Sequence, residues 1–474
     1  MPNMKRGFSF SIAIAAFILC LTVSAAAFDD ITAGAEEEIV KQDAAEEEPA
    51  VPPPHFARHK HRLPDLLLEN KKEHRYFTPM PVIGVDPDTG FNFGAMVNFY
   101  DNGSKDSPFF YYAPYRQQIA VAAYGTTKKV YDIVAYLDQP YIMGTPWRVR
   151  AEAEFLHNPV MNYYGIANDG LQLTFPGTGQ VFGSIGAYQD ALNQVVGGGT
   201  NAKYDFYGLS RFNFQGSAEY DLLGGLIRPL FGIRFARNWI NDYTGDTVNN
   251  AVQLPTHLRD DCDSGRAKGC SGGFDNYIKL GFSFDSRNFE PDPSSGIFAQ
   301  AVAELSPKFM GSAFNYGRLA TTLQGYGTLF KYKSQQFVLA GRFLYEWQFG
   351  DVPFYSMDTY AFTERDRLGL GGLRTIRGYK QDRFIGPVSL LSNMEMRWSF
   401  VEFNVFKQHI KLMAVPFFDA GRTFENNGSI TLNNWKLGGG MGVHLAWNLS
   451  TIIVFDYGFT PEGNAFYMDL GHVF

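Results

Sequence analysis

The sequence predicts an all-β chain: a 16-stranded antiparallel transmembrane β-barrel over residues 78–474. Three observations predict it. Apolar and polar residues alternate with a period of two, with almost no helical periodicity. Trp147, Val149, Ala151, Ala153 and Phe155 alternate with Arg148, Arg150, Glu152 and Glu154, and Phe337, Leu339, Phe343 and Trp347 with Gln336, Arg342, Glu346 and Gln348. Many of these segments run for nine to twelve residues, the length a tilted strand needs to cross a bilayer. Aromatic residues stand at segment ends, as in Trp435 with Trp447 and Phe337 with Phe349, where interfacial girdles belong. Alternation alone fits a soluble sandwich equally well; strand length and aromatic placement select the barrel.

Composition agrees. Of 474 residues, 19% are charged and 16% aromatic, with 43 Phe, 26 Tyr and 49 Gly. The apolar fraction is an ordinary 45% and the mean hydropathy is slightly negative. A strand with one face on lipid and one on a polar lumen averages to such values. A disordered chain lacks this many aromatics, and a nucleic-acid binder is usually basic whereas this chain carries −7. Three Cys are too few for a disulfide scaffold. One apolar run approaches twenty residues, at the N-terminus, so a polytopic helical protein is excluded.

Residues 1–27 read as a signal peptide: Lys5 and Arg6, an apolar stretch from Phe8 to Val23, then Ser24, Ala25, Ala26 and Ala27. A membrane anchor is the alternative. Residues 28–54 form an acidic, Pro-rich disordered tail, with nine acids against one Lys between Asp29 and Glu48. Residues 55–77 form a short basic and helical periplasmic segment, with Arg58, Lys60, Arg62, His55, His59 and His61, and a helix expected over 64–74. The basic groups read as contacts for acidic groups, such as lipid headgroups or the acidic tail itself; a metal site built from the His pairs is the alternative, though no carboxylate or Cys completes a ligand set there.

Strand centres are expected near residues 82, 95, 120, 134, 151, 214, 232, 280, 301, 322, 343, 396, 416, 441, 454 and 470. The count is even, as in bacterial barrels. Connections after odd strands include the long stretches 158–203, 241–272, 350–387 and 421–433, whereas those after even strands are mostly short. The long set is therefore expected outside the cell and both termini in the periplasm. Cys262 and Cys270 then lie in a surface loop, close enough in sequence to form a disulfide in an oxidising compartment.

At this point the residues carry a resemblance. LGLGGLRTIRGYKQDRFIGP (368–387) resembles the sixth surface loop of the bacterial surface antigen superfamily, whose hallmark tetrapeptide is here Ile376, Arg377, Gly378 and Tyr379. FDSRNFEPDPSSGIF (284–298), LSNMEMRW (391–398), PFFDAGRTF (416–424), PVIGVDPDTGFNFG (81–94) and NYYGIAND (162–169) resemble further elements of that superfamily in order. The terminal strand Phe466, Met468, Leu470, His472, Phe474 resembles the targeting signal of outer-membrane proteins.

The resemblance implies an outer-membrane barrel with an inward-folded sixth loop. Gly371 and Gly372 would permit the turn, and Arg377 would meet Glu395 and Asp419, which alternation points inward. Asp285 and Arg287 read as a turn-stabilising pair. The family closes its barrel between the first and last strands. Pro81 and Gly84 in the first, and Gly471 and Phe474 in the last, suggest a weakly paired seam able to open sideways.

The family's barrels insert or translocate proteins. The resemblance therefore implies unfolded outer-membrane or secreted clients, surrounding lipopolysaccharide and phospholipid, and the barrel-assembly machinery for the chain's own insertion. A homodimer is a further partner state. Residues 28–77 are too short for a POTRA domain, so the chain reads as a POTRA-less member. A passive or gated pore and a structural surface antigen are the alternatives. No nucleophile elbow is present, and the chain is read as neither an enzyme nor a cofactor binder.

Overall fold

The computed structural model describes residues 51–332, 335–363, 367–406 and 408–474. The signal peptide and most of the acidic tail lie outside the described residues. Sixteen long strands follow one another. The first eight are β1 (Arg75–Asp86), β2 (Gly90–Asp101), β3 (Gln117–Thr126), β4 (Tyr131–Gln139), β5 (Trp147–Asn162), β6 (Phe206–Tyr220), β7 (Ile227–Asn241) and β8 (Tyr277–Asp285). The rest are β9 (Gly296–Ser306), β10 (Tyr316–Tyr332), β11 (Gln335–Gly350), β12 (Val388–Val405), β13 (Gln408–Phe424), β14 (Lys436–Trp447), β15 (Thr451–Thr460) and β16 (Gly463–Leu470). Every expected centre falls within its strand.

Each strand pairs antiparallel with the next, and β1 meets β16 to close the barrel. A two-residue piece, Gly273–Phe274, adds to the end of β7. Burial alternates along the strands. On β12, Met396 and Trp398 are exposed while Asn393, Glu395, Arg397 and Ser399 are buried. This is an inside-out arrangement: exposed Phe93, Phe99, Phe214, Phe231, Trp239 and Met441 form the outer face, and charged residues line the interior.

β1 starts and β16 ends at one rim, here the near rim; odd-numbered strands run from it to the far rim. At the far rim, the loops 163–205, 242–276 and 351–387 pack together around Tyr163, Ile166, Leu258, Phe354 and Tyr355. They contain two helices that the alternation did not predict, Ile185–Leu192 and His257–Asp263, capped by Ser184 and Thr256. Helices of two turns are too short to impose a visible 3.6-residue period. Cys262 and Cys270 are joined as a disulfide in this layer, with Cα atoms 6.2 Å apart.

At the near rim, residues 51–74 run along the connections that follow β2, β4 and β6. His59 N donates to Gly224 O at 3.0 Å, Leu63 N to Tyr111 O at 2.9 Å, and Phe56 packs on Phe109 and Tyr141. The helix expected over 64–74 is confined to Asp65–Asn70. Lys71 leaves it in an extended conformation, and its Nζ donates to Phe110 O at 2.6 Å and Ala113 O at 2.7 Å. The extended backbone resumes at Arg75, three residues before the expected barrel start.

The chain's end departs from expectation. The alternation continued the last strand to Phe474, but β16 ends at Leu470. Gly471 adopts φ +82°, a left-handed conformation that suits glycine. Residues 472–474 turn inside and are buried: Phe474 lies over the Arg342 and Arg397 guanidiniums, and Val473 joins a cluster with Tyr326, Leu373 and Tyr467. Buried cationic partners, absent from the outer face, hold the tail in place of a strand pairing.

Candidate functional site

The loop between β11 and β12 meets the inward faces of the strands on either side of it. On one side Ala361 N donates to Glu346 Oε2 at 2.8 Å, Thr363 N to Gln300 Oε1 at 3.1 Å, and Arg318 Nη2 to Thr359 O at 2.8 Å. On the other stands Arg377, fully buried. Its Nε and Nη2 each donate to Asp419 at 2.9 Å, one to each carboxylate oxygen, and its backbone N donates to the same residue at 3.1 Å. Its Nη1 donates to Glu395 at 2.8 Å and to Asp456 at 3.0 Å. The guanidinium lies 3.4 Å from the Phe417 ring centroid. A planar fork of five donors suits three carboxylates in a way an ammonium does not.

The other motif residues hold this arginine in place. Ile376 packs with Leu344, Leu370 and Leu391. Gly378 has φ +100°, and a Cβ there would stand 3.0 Å from the backbone carbon of Gly458 on β15. Gly378 N donates to Tyr467 Oη, which in turn donates to Tyr379 O. Gly371 and Gly372 also take positive φ, at the bend where Leu370 bridges Phe384. The sequence brought Arg377, Glu395 and Asp419 together but missed Asp456. The alternation that pointed the other two acids inward applies to Asp456 on β15 as well.

A row of polar groups continues from Asp456. Its Oδ1 meets His444 Nε2 at 2.9 Å, His444 Nδ1 meets His472 Nδ1 at 3.0 Å, and His472 Nε2 meets Asp292 Oδ1 at 3.1 Å. Lys411 Nζ ends the row, donating to Asp292 Oδ2 at 2.7 Å. Around it Arg377, Arg397 and Lys411 face Glu395, Asp419, Asp456 and Asp292. The row links the loop arginine, the inward tail and the near-rim turn between β8 and β9.

That turn carries Asp285 and Arg287, which form a two-point pair with both bonds at 2.9 Å. Arg228 on β7 also donates to Asp285, at 2.6 Å. Asn288 accepts from Ser294 N and Ser295 N and closes the turn on itself. Among the described residues, no group of three or more His, Cys, Asp or Glu is arranged to hold a metal ion.

The seam is narrow. β1 and β16 share one residue pair, Val85 with Met468. Gly84 allows the close approach, since a Cβ there would lie 3.1 Å from Met468 O. Because the chain turns inward at Gly471, β1 residues 75–82, Pro81 among them, have β2 on one side and no paired strand on the other among the described residues. Every other junction in the barrel carries eight or more pairs.

Residues 54–116 match a domain of unknown function (DUF5982), and residues 124–474 match the Omp85 superfamily domain. No curated protein sequence matches the chain. Among solved structures, BamA from Haemophilus ducreyi lacking POTRA domains 1–3 is similar at 12% identity, over 84% of this chain and 70% of that one, with a TM-score of 0.49. CdiB from Escherichia coli is similar at 9% identity, over 86% and 69%, with a TM-score of 0.49. CdiB from Acinetobacter baumannii is similar at 9% identity, over 85% and 60%, with a TM-score of 0.44. The superfamily match spans nearly three quarters of the sequence, from β3 through the loop arginine to the inward tail, and the chain belongs to the Omp85 superfamily of outer-membrane β-barrels.

Proposed function

We propose that this barrel inserts or translocates protein clients through the seam between β1 and β16, with the near rim facing the periplasm. The observation that carries the reading is the single Val85–Met468 pair. An antiparallel junction held by one pair opens at small cost, and an open edge offers backbone groups to an incoming strand. The route straight through the lumen is the weaker one, because the β11–β12 loop also bonds across it, to Asp88 after β1, Asn162 on β5 and Tyr207 on β6.

The test is a seam cross-link. Val85→Cys with Met468→Cys, oxidised in liposomes, should abolish accelerated folding of a client barrel, and reduction should restore it. Wild-type protein carried through the same treatments is the control. Client insertion that survives complete cross-linking refutes the seam mechanism.

The buried Arg377 favours a second reading, a gated pore. On this reading the loop is the gate, and Arg377→Ala should turn a silent barrel into a conducting one in planar bilayers. A variant as silent as wild type, with unchanged client activity, removes both the pore and the gate.

A further inference from the structure

The two walls of the lumen differ in chemistry. Inward residues of β8–β12 are largely charged, among them Lys279, Glu304, Arg318, Arg342, Glu346 and Glu395. The facing wall, from β1 to β4, presents Met80, Met96, Ala120, Ala122 and Val134, with tyrosines and the polar Asn98, Gln118 and Asp132 between them. Between this wall and the last strands, which contribute Ile452 and Leu470, lies a cavity of about 680 Å³. That volume is within the ordinary range of small-molecule sites. Asn98, Gln118, Asp132 and Glu152 reach the cavity too, but most of its exposed lining is apolar, and water gains little there.

The cavity also has a side opening. Gly471 takes the last strand inward, so among the described residues no strand pairs with β1 on the seam side of Met80, and Met80, Leu470 and Gly471 line the cavity at this gap. On the outer face next to it, Phe77 and Ile83 are exposed on the apolar belt. An apolar path thus runs from the bilayer-facing surface, over the β1 edge, into the chamber. At the near-rim corner of the same edge stand Lys72 and Arg75, the latter with a side chain 87% exposed and its Nε 3.4 Å from Asp101.

We propose that the chamber takes one hydrocarbon chain from the near leaflet, the acyl chain of a phospholipid whose phosphate rests by Lys72 and Arg75. The chain enters sideways, without leaving apolar surroundings. The site is independent of any protein client, so its test stands apart from that of the seam mechanism.

The experiment uses the full chain in vesicles of phosphatidylethanolamine and phosphatidylglycerol, with a trace of phospholipid carrying a diazirine on its acyl chain. After irradiation, adducts are mapped by peptide mass spectrometry. Outward Ile83 and Phe93 report bulk lipid; inward Met80, Met96 and Ala122 report the chamber. Labelling of both sets is the expected result. Ala122→Trp should lower inward labelling several-fold and leave outward labelling unchanged; Met96→Phe serves if that variant fails to fold.

Adducts confined to outward residues overturn the proposal. So does inward labelling by a water-soluble diazirine but not by the lipid probe, which would mean an aqueous chamber. A photoactivatable free fatty acid is the parallel arm, and inward labelling from it alone overturns the phospholipid assignment.

Discussion

Arg377 concentrates the interior electrostatics in one side chain. Removing one partner of a buried ion cluster leaves the others uncompensated, at a cost of about 3–5 kcal/mol. Arg377→Ala should therefore lower the heat-modifiability midpoint on gels sharply, and Arg377→Lys should recover only part of it, because an ammonium cannot bond three carboxylates in a plane. His472 supplies the pH dependence. Burial, reinforced by the Arg397 guanidinium, pushes its imidazole down to about 4. In the unfolded chain its value is near 6.5, so on acidification the unfolded chain takes up the proton first. The stability from this residue is full above about pH 6.5 and is lost as the pH falls towards 4, by roughly 3 kcal/mol at most. Midpoints measured between pH 7 and 4 should fall in wild type and fall less in His472→Gln; parallel curves would refute this. Arg377, Glu395 and Asp419 were legible because a motif and a strict alternation fix them. Asp292 was not, since it reaches His472 and Lys411 through the fold of a turn, and no sequence period encodes that.

Among the elements, the near-rim strap is the one the sequence described least. Its basic composition suggested lipid headgroups, yet Lys60 is held down by burial and by the Arg228 guanidinium, opposed by Glu290, Asp221 and Asp285. Its place is the barrel's own rim. Lys71→Met should leave the Phe110 and Ala113 carbonyls without their donor, at about 1–3 kcal/mol for a buried group. Trypsin should then cut faster at Arg58, Lys60 and Arg62 while the barrel stays intact; unchanged cleavage would show that Lys71 does not anchor the strap. The Cys262–Cys270 bridge belongs to the far-rim layer. Cys262→Ser with Cys270→Ser should loosen loop 242–276 by about 2–3 kcal/mol, as closure of a short loop suggests. Local hydrogen exchange should report it, without a change in the barrel's midpoint. The strands were legible because each repeats its inside-out alternation over many residues. The loop helices and the inward tail were not, because a few residues decide them.

At the scale of the molecule, the far rim is layered over by packed loops and the near rim by a single strap, so the two mouths are unequal. If the near rim is periplasmic, a cysteine placed at Ser429 should react with an impermeant maleimide on intact cells, and one at Asp106 only after the outer membrane is breached. The opposite pattern would invert the orientation. The barrel wall was legible almost completely. The proposed functions use the places where the wall is incomplete: the one-pair seam and the gap beside Met80, with the tail within. That tail constrains the order of assembly. Residues 472–474 rest on Arg342, Arg374 and Arg397, all on the lumen side. An unseated loop would offer no Arg374 to receive them. The tail can therefore dock fully only once the loop is seated, much as a knot is drawn tight only after its end has been threaded.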